Sequence, residues 1–193
     1  MSVVTCPGCG CPGANSEPLD RHRYRESGLD VWLHGGVTRT ACPKCGETFV
    51  RIEREGQLLQ VIAVGLLTKP AALTGPEMRF LRRACELTQR ELARRQRIRR
   101  ETVAERENRK TPTMRLPDRV FFRLIMLHAF QEYLAEGADL LADSHKAALT
   151  SFANSFVDRV NQDLRVGQFD LSGVTVEVEM DSKSEEWRIP LAA

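Results

Sequence analysis

Apolar and polar positions change period along the chain, and the changes divide it into three stretches. Before residue 54 the signal is short and strand-like. Arg21–Arg25, Leu29–Leu33, Val37–Thr40 and Thr48–Ile52 read as strands. Gly35-Gly36 between two of them predicts a hairpin turn, and Pro12–Pro18 reads as loop. From Glu55 the period becomes helical. Leu58, Leu59, Ile62, Ala63 and Leu66 share one face of a helix over Glu55–Thr68, which Lys69-Pro70 ends.

Two capping boxes follow, Thr74-Gly-Pro-Glu77 and Thr88-Gln-Arg-Glu91. In each, the Thr hydroxyl and the Glu carboxylate satisfy N–H groups that a helix start leaves unbonded. The first opens a helix to about Glu86 with Met78, Leu81 and Cys85 inward; the second opens a short helix holding Leu92 and Ala93. After a break at Gln96–Arg99 a third short helix runs to Glu107, with Ile98 and Val103 inward. Thr111-Pro112 stops it, and Leu116–Tyr133 is a longer amphipathic helix. Beyond it, Leu140, Leu141, Ala148, Leu149, Phe152, Phe156 and Val160 keep helical spacing. Val174–Met180 alternates, and Trp187–Leu191 is placed to pair with it across Asp181–Ser184.

Charge follows the same division. The whole chain of 193 residues carries a net charge of only +2. Glu77–Arg123 holds 15 basic and 7 acidic residues, while Gln131–Ala193 holds 5 basic and 12 acidic. A basic middle points to a polyanionic partner, against the plainer alternative of a solvated helical face. No run approaches the roughly 18 apolar residues of a membrane span. The start lacks the basic and apolar stretches of a signal peptide, so a cytoplasmic location is expected.

Five of the six cysteines fall before residue 46. Cys6-Pro-Gly-Cys9 and Cys42-Pro-Lys-Cys45 are each followed by glycine, Gly10 and Gly46. Two residues between thiolates let one tight turn present both sulfurs to a tetrahedral zinc ion. The glycine permits the left-handed turn that aims backbone N–H groups at those sulfurs. Two disulfides would need an oxidising compartment, and a redox pair would not come twice. Four sulfur ligands leave no open position, so the zinc is expected to be structural. Cys11 stands as a substitute for Cys9 or as a spare thiol, and His22 and His34 become ligands only if a cysteine is missing. The fold class expected is α+β. It comprises a small zinc-stapled sheet domain with its linking helix (1–70), an all-α domain (71–130) and an acidic C-terminal extension with a helix and a hairpin (131–193).

Short helix, tight turn, short helix, after one capped helix, is the helix-turn-helix plan. Its last helix would lie in the major groove and present Arg99, Arg100, Glu101 and Thr102 to base edges. Arginine grips guanine O6 and N7, and Glu accepts from cytosine N4. Gln89 would bond phosphate or brace a reading residue, and Arg82, Arg83, Arg109 and Lys110 would contact phosphate. Three positions strain the plan. Gln96 and Arg106 occupy apolar sites, and Arg97 sits where the turn needs positive φ. They motivate the alternative of a protein-interaction module whose helix-turn-helix has decayed. An enzyme is not expected: no Ser/His/Asp order or phosphate loop is legible, and the histidines are scattered.

These residues, with Tyr24–Asp30, Lys69-Pro70, Leu73-Thr74-Gly75, Leu87-Thr88-Gln89, Glu101-Thr102-Val103 and Lys110-Thr111-Pro112, resemble the MqsA/YgiT-type zinc-finger plus Xre-type helix-turn-helix proteins over about residues 5–130. The resemblance implies an autorepressor that binds a palindromic DNA operator as a homodimer, with a toxin protein as partner where the member is an antitoxin. It carries structural zinc to Cys6, Cys9, Cys42 and Cys45, and DNA contact to Gln89 and Arg99–Thr102. It does not reach the acidic tail. There the readings are a partner module, a DNA mimic covering the basic face, or a solvated dimerisation extension.

Overall fold

The computed structural model describes residues 4–69, 71–112, 114–166, 176–181, 184 and 186–189. It is an α+β structure, with strands β1 (Val4–Thr5), β2 (Pro12–Arg23), β3 (Val31–Ala41) and β4 (Thr48–Ile52) ahead of the helices. Helices α1 (Glu55–Thr68), α2 (Gly75–Ala84), α3 (Gln89–Gln96), α4 (Arg100–Asn108), α5 (Leu116–Tyr133) and α6 (Asp143–Val166) follow. Strands β5 (Val176–Asp181) and β6 (Glu186–Arg188) close the order. No helix among the described residues is long and apolar enough to cross a membrane.

The sheet departs from the expected short strands in three ways. First, β3 is one continuous strand, and Gly35-Gly36 is a bulge within it, not a hairpin turn. Leu19 pairs with Val37 and Arg21 with His34, so Asp20 alone faces both glycines. Gly36 sits at φ 62°, and a Cβ there would lie 2.9 Å from the side chains of Met180 and Trp187. Close approach and positive φ both demand glycine. The reversal falls instead at Tyr24–Asp30, where Ser27 Oγ donates to Tyr24 O and Gly28 adopts φ 73°.

Second, the expected loop Pro12–Pro18 belongs to β2. Its polar residues give no alternation because most of this strand is exposed. Pairing with the far half of β3 holds it extended. β1 pairs only with Pro12–Ala14, so at Pro18 β2 has β3 on one side and no strand on the other, and such an edge tolerates proline.

Third, β2 occupies one edge of β3, and β4 and β5 share the other, end to end. β4 pairs with Val37–Ala41 and β5 runs parallel to Val31–His34. β5 and β6 form the antiparallel pair expected from their alternation, with Met180 opposite Trp187. The expected ends at Val174 and Leu191, and Ser182-Lys183 of the turn, lie outside the described residues. The tail therefore adds strands to the N-terminal sheet, and α6 packs on α1.

Helix α1 has the expected bounds but not the expected single apolar face. Leu58, Val61, Ile62, Ala63, Val64, Leu66 and Leu67 are all buried. It meets β5, β6 and α6 as well as α2 and α5, so no side is left for water. Its two buried glutamines bond to the later chain. Gln57 Nε2 donates to Leu140 O, Leu140 N donates to Gln60 Oε1, and Trp187 N donates to Gln57 Oε1. Trp187 is fully buried, and its Nε1 donates to Glu53 O at 2.7 Å. At the other end, Arg123 donates to the carbonyls of Leu67, Lys69 and Ala71, capping the last turn.

Trp187→Ala is expected to cost about 3–5 kcal/mol, the scale for deleting a fully buried large aromatic. Chemical denaturation of the whole chain measures it. A loss below about 1 kcal/mol would mean that the hairpin is not packed on the sheet.

Candidate metal centre and nucleic-acid interface

The two Cys-x-x-Cys-Gly segments fold into matching turns. Cys6 N donates to Cys11 O and Gly10 N to Cys6 O; Cys42 N donates to Glu47 O and Gly46 N to Cys42 O. Gly10 and Gly46 take φ 68° and 71°. The first turn joins β1 to β2 and the second joins β3 to β4. Because Asn15 and Ser16 of β2 pair with Ala41 and Thr40 of β3, the two turns are brought side by side.

Their four sulfurs lie within 4.8 Å of one another. Cys6 Sγ is 3.6 Å from Cys45 Sγ, and Cys9 Sγ is 3.6 Å from Cys42 Sγ. These separations far exceed a disulfide bond of about 2.05 Å, and all six cysteines are free. The N–H groups of Cys45 and Lys44 bring the Cys42 thiol down to about 6. Such a group could coordinate a metal ion. Cys11 is not part of it; its Sγ rests 3.3 Å from Pro12 O. Neither His22 nor His34 joins it. Cys85 is buried as a small core residue, and burial pushes its thiol up to about 12.

The second constellation is α2, α3 and α4. Thr88 caps α3 as expected, with Glu91 N donating to its Oγ1 and Thr88 N donating to Glu91 Oε2. The α3–α4 turn places Arg97 at φ 55°, the strained conformation its position requires. Gly75 allows α2 to start against the end of α4, since a Cβ there would meet Arg106 O and Arg109 O at 2.4 Å.

A buried carboxylate locks the three helices. Glu107 is 2% exposed. Arg82 Nε donates to its Oε1 at 2.6 Å, Arg82 Nη2 donates to its Oε2 at 3.0 Å, and Gln89 Nε2 donates to the same Oε2 at 2.9 Å. Arg82, read from sequence as a phosphate contact, therefore has a different place: it is buried and bonded inward. Gln89 is half-buried at the start of α3 with its donor committed to Glu107.

The two polar residues at apolar positions answer each other. Arg106 Nη1 donates to Gln96 Oε1 at 3.2 Å, and its Nη2 lies 3.3 Å from Asp118 Oδ2 of α5. The bond satisfies the Oε1 of buried Gln96 and one arm of the half-buried Arg106 guanidinium.

Of the remaining expected contacts, Arg99, Arg100, Glu101, Arg109 and Lys110 are exposed and Thr102 is half-buried. Arg100 makes only a loose 3.8 Å approach to Glu101, with both side chains largely in water. Arg90, Arg97, Arg99, Arg109 and Lys110 are in no ion pair among the described residues. A groove of about 580 Å³ opens between α3 and the start of α4, lined by Thr88, Arg90, Glu91, Ala93, Arg94, Ile98 and Arg100. Arg90 and Arg94 were not singled out from sequence. Their spacing of four along α3 puts both on the face beside Arg100, and that spacing was the available signal.

No family model, no curated protein and no solved structure matches the chain. The resemblance drawn from the motifs rests on those residues alone.

Removing one partner of the buried pair is expected to cost about 3–5 kcal/mol, so Glu107→Leu should destabilise strongly. The double variant Glu107→Leu with Arg82→Met should recover most of that loss, because no charge is then stranded. Denaturant titration of the three proteins checks it; a double variant no better than the single one would refute the account.

Proposed function

We propose that the protein is a sequence-specific DNA-binding regulator with a structural zinc ion. The observation that carries the reading is the free N-terminal turn of α4. It presents Arg99, Arg100 and Glu101 to solvent on a helix fixed by Glu107 and Arg106. A helix held this way can enter the major groove with its first turn at the base edges. Arg100 has the reach to grip a guanine, and its loose tie to Glu101 leaves both side chains available, Glu101 for a cytosine amine. Arg90 and Arg94 line the groove beside this turn, Arg109 and Lys110 follow the other end of α4, and all four serve as phosphate contacts. Gln89 acts as a brace through Glu107.

Zinc is the metal the sulfur group fits best. Four thiolates at about 2.3 Å from zinc stand about 3.8 Å apart, and no ligand position is left open for a substrate. The ion supplies stability to a sheet end that has little apolar core. The competing reading is an interaction module with a decayed helix-turn-helix, motivated by Gln96, Arg97 and Arg106; the bond between Arg106 and Gln96 favours the DNA-binding reading over it. An antitoxin role within this function calls for a protein partner, and co-purification with the product of the adjacent reading frame tests it.

Elemental analysis is expected to find about one zinc per chain. Chelation should loosen the two Cys-x-x-Cys-Gly turns and the sheet end that carries them, while the helices stay formed by circular dichroism. A folded, metal-free protein with oxidised Cys6, Cys9, Cys42 and Cys45 would overturn the zinc assignment.

DNA binding is tested on duplexes enriched from a random pool. Log affinity should fall linearly with log salt. Arg100→Ala should cost about 1–3 kcal/mol on the enriched sequence and little elsewhere. Arg109→Ala should weaken all sequences alike and lower the salt slope by about 1. Wild-type binding by both variants would remove this surface from consideration.

A further inference from the structure

Leu141, His145, Leu149 and Phe152 form one buried row at the start of α6. Steps of four, four and three residues keep them on one side of the chain, as helix α6 packs on α1. Three members of the row are apolar and the fourth is a histidine. His145 is 7% exposed, and its Nδ1 is buried with no hydrogen-bond partner among the described residues. Such a site accepts an imidazole only in its neutral form. Burial holds the ring below its ordinary 6.5. Its place in the first turn of α6 works in the same sense, because a helix start carries partial positive charge.

The surrounding charges do not provide for an imidazolium. In β6, Glu186 favours the charged ring and Arg188 opposes it. Arg188 is paired with Asp181 of β5 at 2.7 Å, and Glu179 of β5 is exposed. On the histidine's own helix Asp143 is exposed, and Lys146 is bonded to Asp139. The one ionisable side chain of α1, Glu55, accepts from Tyr24 Oη. What α1 turns to the C-terminal segment are the amides of Gln57 and Gln60. Gln57 bonds both to Leu140, just ahead of α6, and to Trp187 of β6, so lifting α6 also loosens the hairpin. We propose that His145 is an acid-sensitive latch: protonation of its ring weakens the docking of α6 and the β5–β6 hairpin on α1, while β1–β4 and α2–α5 stay folded.

The direction follows from the two ring environments. Undocked, the ring titrates near 6.5; docked, it titrates lower. Above that pH it is neutral in both states, and docking has its full strength. Below it the undocked state alone takes up a proton. The ratio of docked to undocked chains then falls by up to about tenfold per pH unit, until the docked ring titrates as well. The latch is independent of the proposed DNA binding.

Amide hydrogen exchange of the whole chain at about pH 7.5 and about pH 5, corrected for intrinsic rates, tests it. Protection of α6 and of β5–β6 is expected to fall by up to about thirtyfold between the two, while β2, β3 and α2 keep theirs. His145→Leu leaves the row apolar. It should keep wild-type protection at the higher pH and lose most of the fall at the lower one. Should that variant fail to dock, an NMR titration of the His145 ring in the wild-type chain decides. A midpoint below 6.5 supports the latch, and one at or above 6.5 overturns it. Unchanged protection at the lower pH overturns the proposal. So does an equal fall in wild type and His145→Leu, which would assign the effect to other groups. A fall shared by β2, β3 and α2 would be global unfolding and overturns it equally.

Discussion

Helix α1 has no face for water, and that single constraint joins everything else. A helix buried all round must be supplied with partners on every side. Here the sheet and the C-terminal hairpin cover one part of it, α6 another, and α2 and α5 the rest. One continuous core follows, from Leu33, Val178 and Trp187 through Leu58, Ile62 and Leu66 to Leu81, Leu92, Val103 and Phe122. Gln57 and Gln60 explain why the hairpin and the start of α6 settle where they do. Each is a buried amide whose partners lie some 80 or more residues later, and an unmet amide in that core would cost on the order of 1–3 kcal/mol.

Beyond α1, the helical part is specified by polar pairing as much as by apolar packing. Glu107 binds α2 and α3 to the last turn of α4. Arg106 reaches back to Gln96 and forward to Asp118. Arg123 closes the end of α1 with three carbonyls, and burial lowers its guanidinium to about 10 without removing the charge near neutral pH. Directional bonds of this kind fix helix orientation more narrowly than apolar contact does, because a rotated helix strands a buried charge.

What could be read in advance was what local chemistry decides. The bounds of α1, both capping boxes and the paired Cys-x-x-Cys-Gly turns are set by residues within a few positions of one another. The continuity of β3 was not legible, because Gly35-Gly36 suits a bulge as well as a turn and the choice depends on Met180 and Trp187 far away. The Pro12–Pro18 strand was hidden because a strand exposed along most of its length need not alternate. Nor could Arg82, Gln96 and Arg106 be placed. A charged side chain at an apolar position reads as an error until its partner is known, and those partners are 10 to 25 residues away.

The segregation of charge takes on a different meaning once the tail is placed. An acidic segment in the same chain as a basic face could fold back and neutralise it. Here the described part of the acidic tail is spent elsewhere: β5 pairs with β3, β6 pairs with β5, and α6 lies on α1. Within the hairpin Asp181 meets Arg188 at 2.7 Å, and at the start of α6 Lys146 meets Asp139 at 2.7 Å. Attraction between the two ends of the chain is thus partly satisfied locally, and what remains is screened over about 8 Å at physiological salt. Arg90, Arg99, Arg109 and Lys110 keep their charge turned to solvent. A polyanion approaching the N-terminal turn of α4 has no acidic strand of this chain to displace among the described residues.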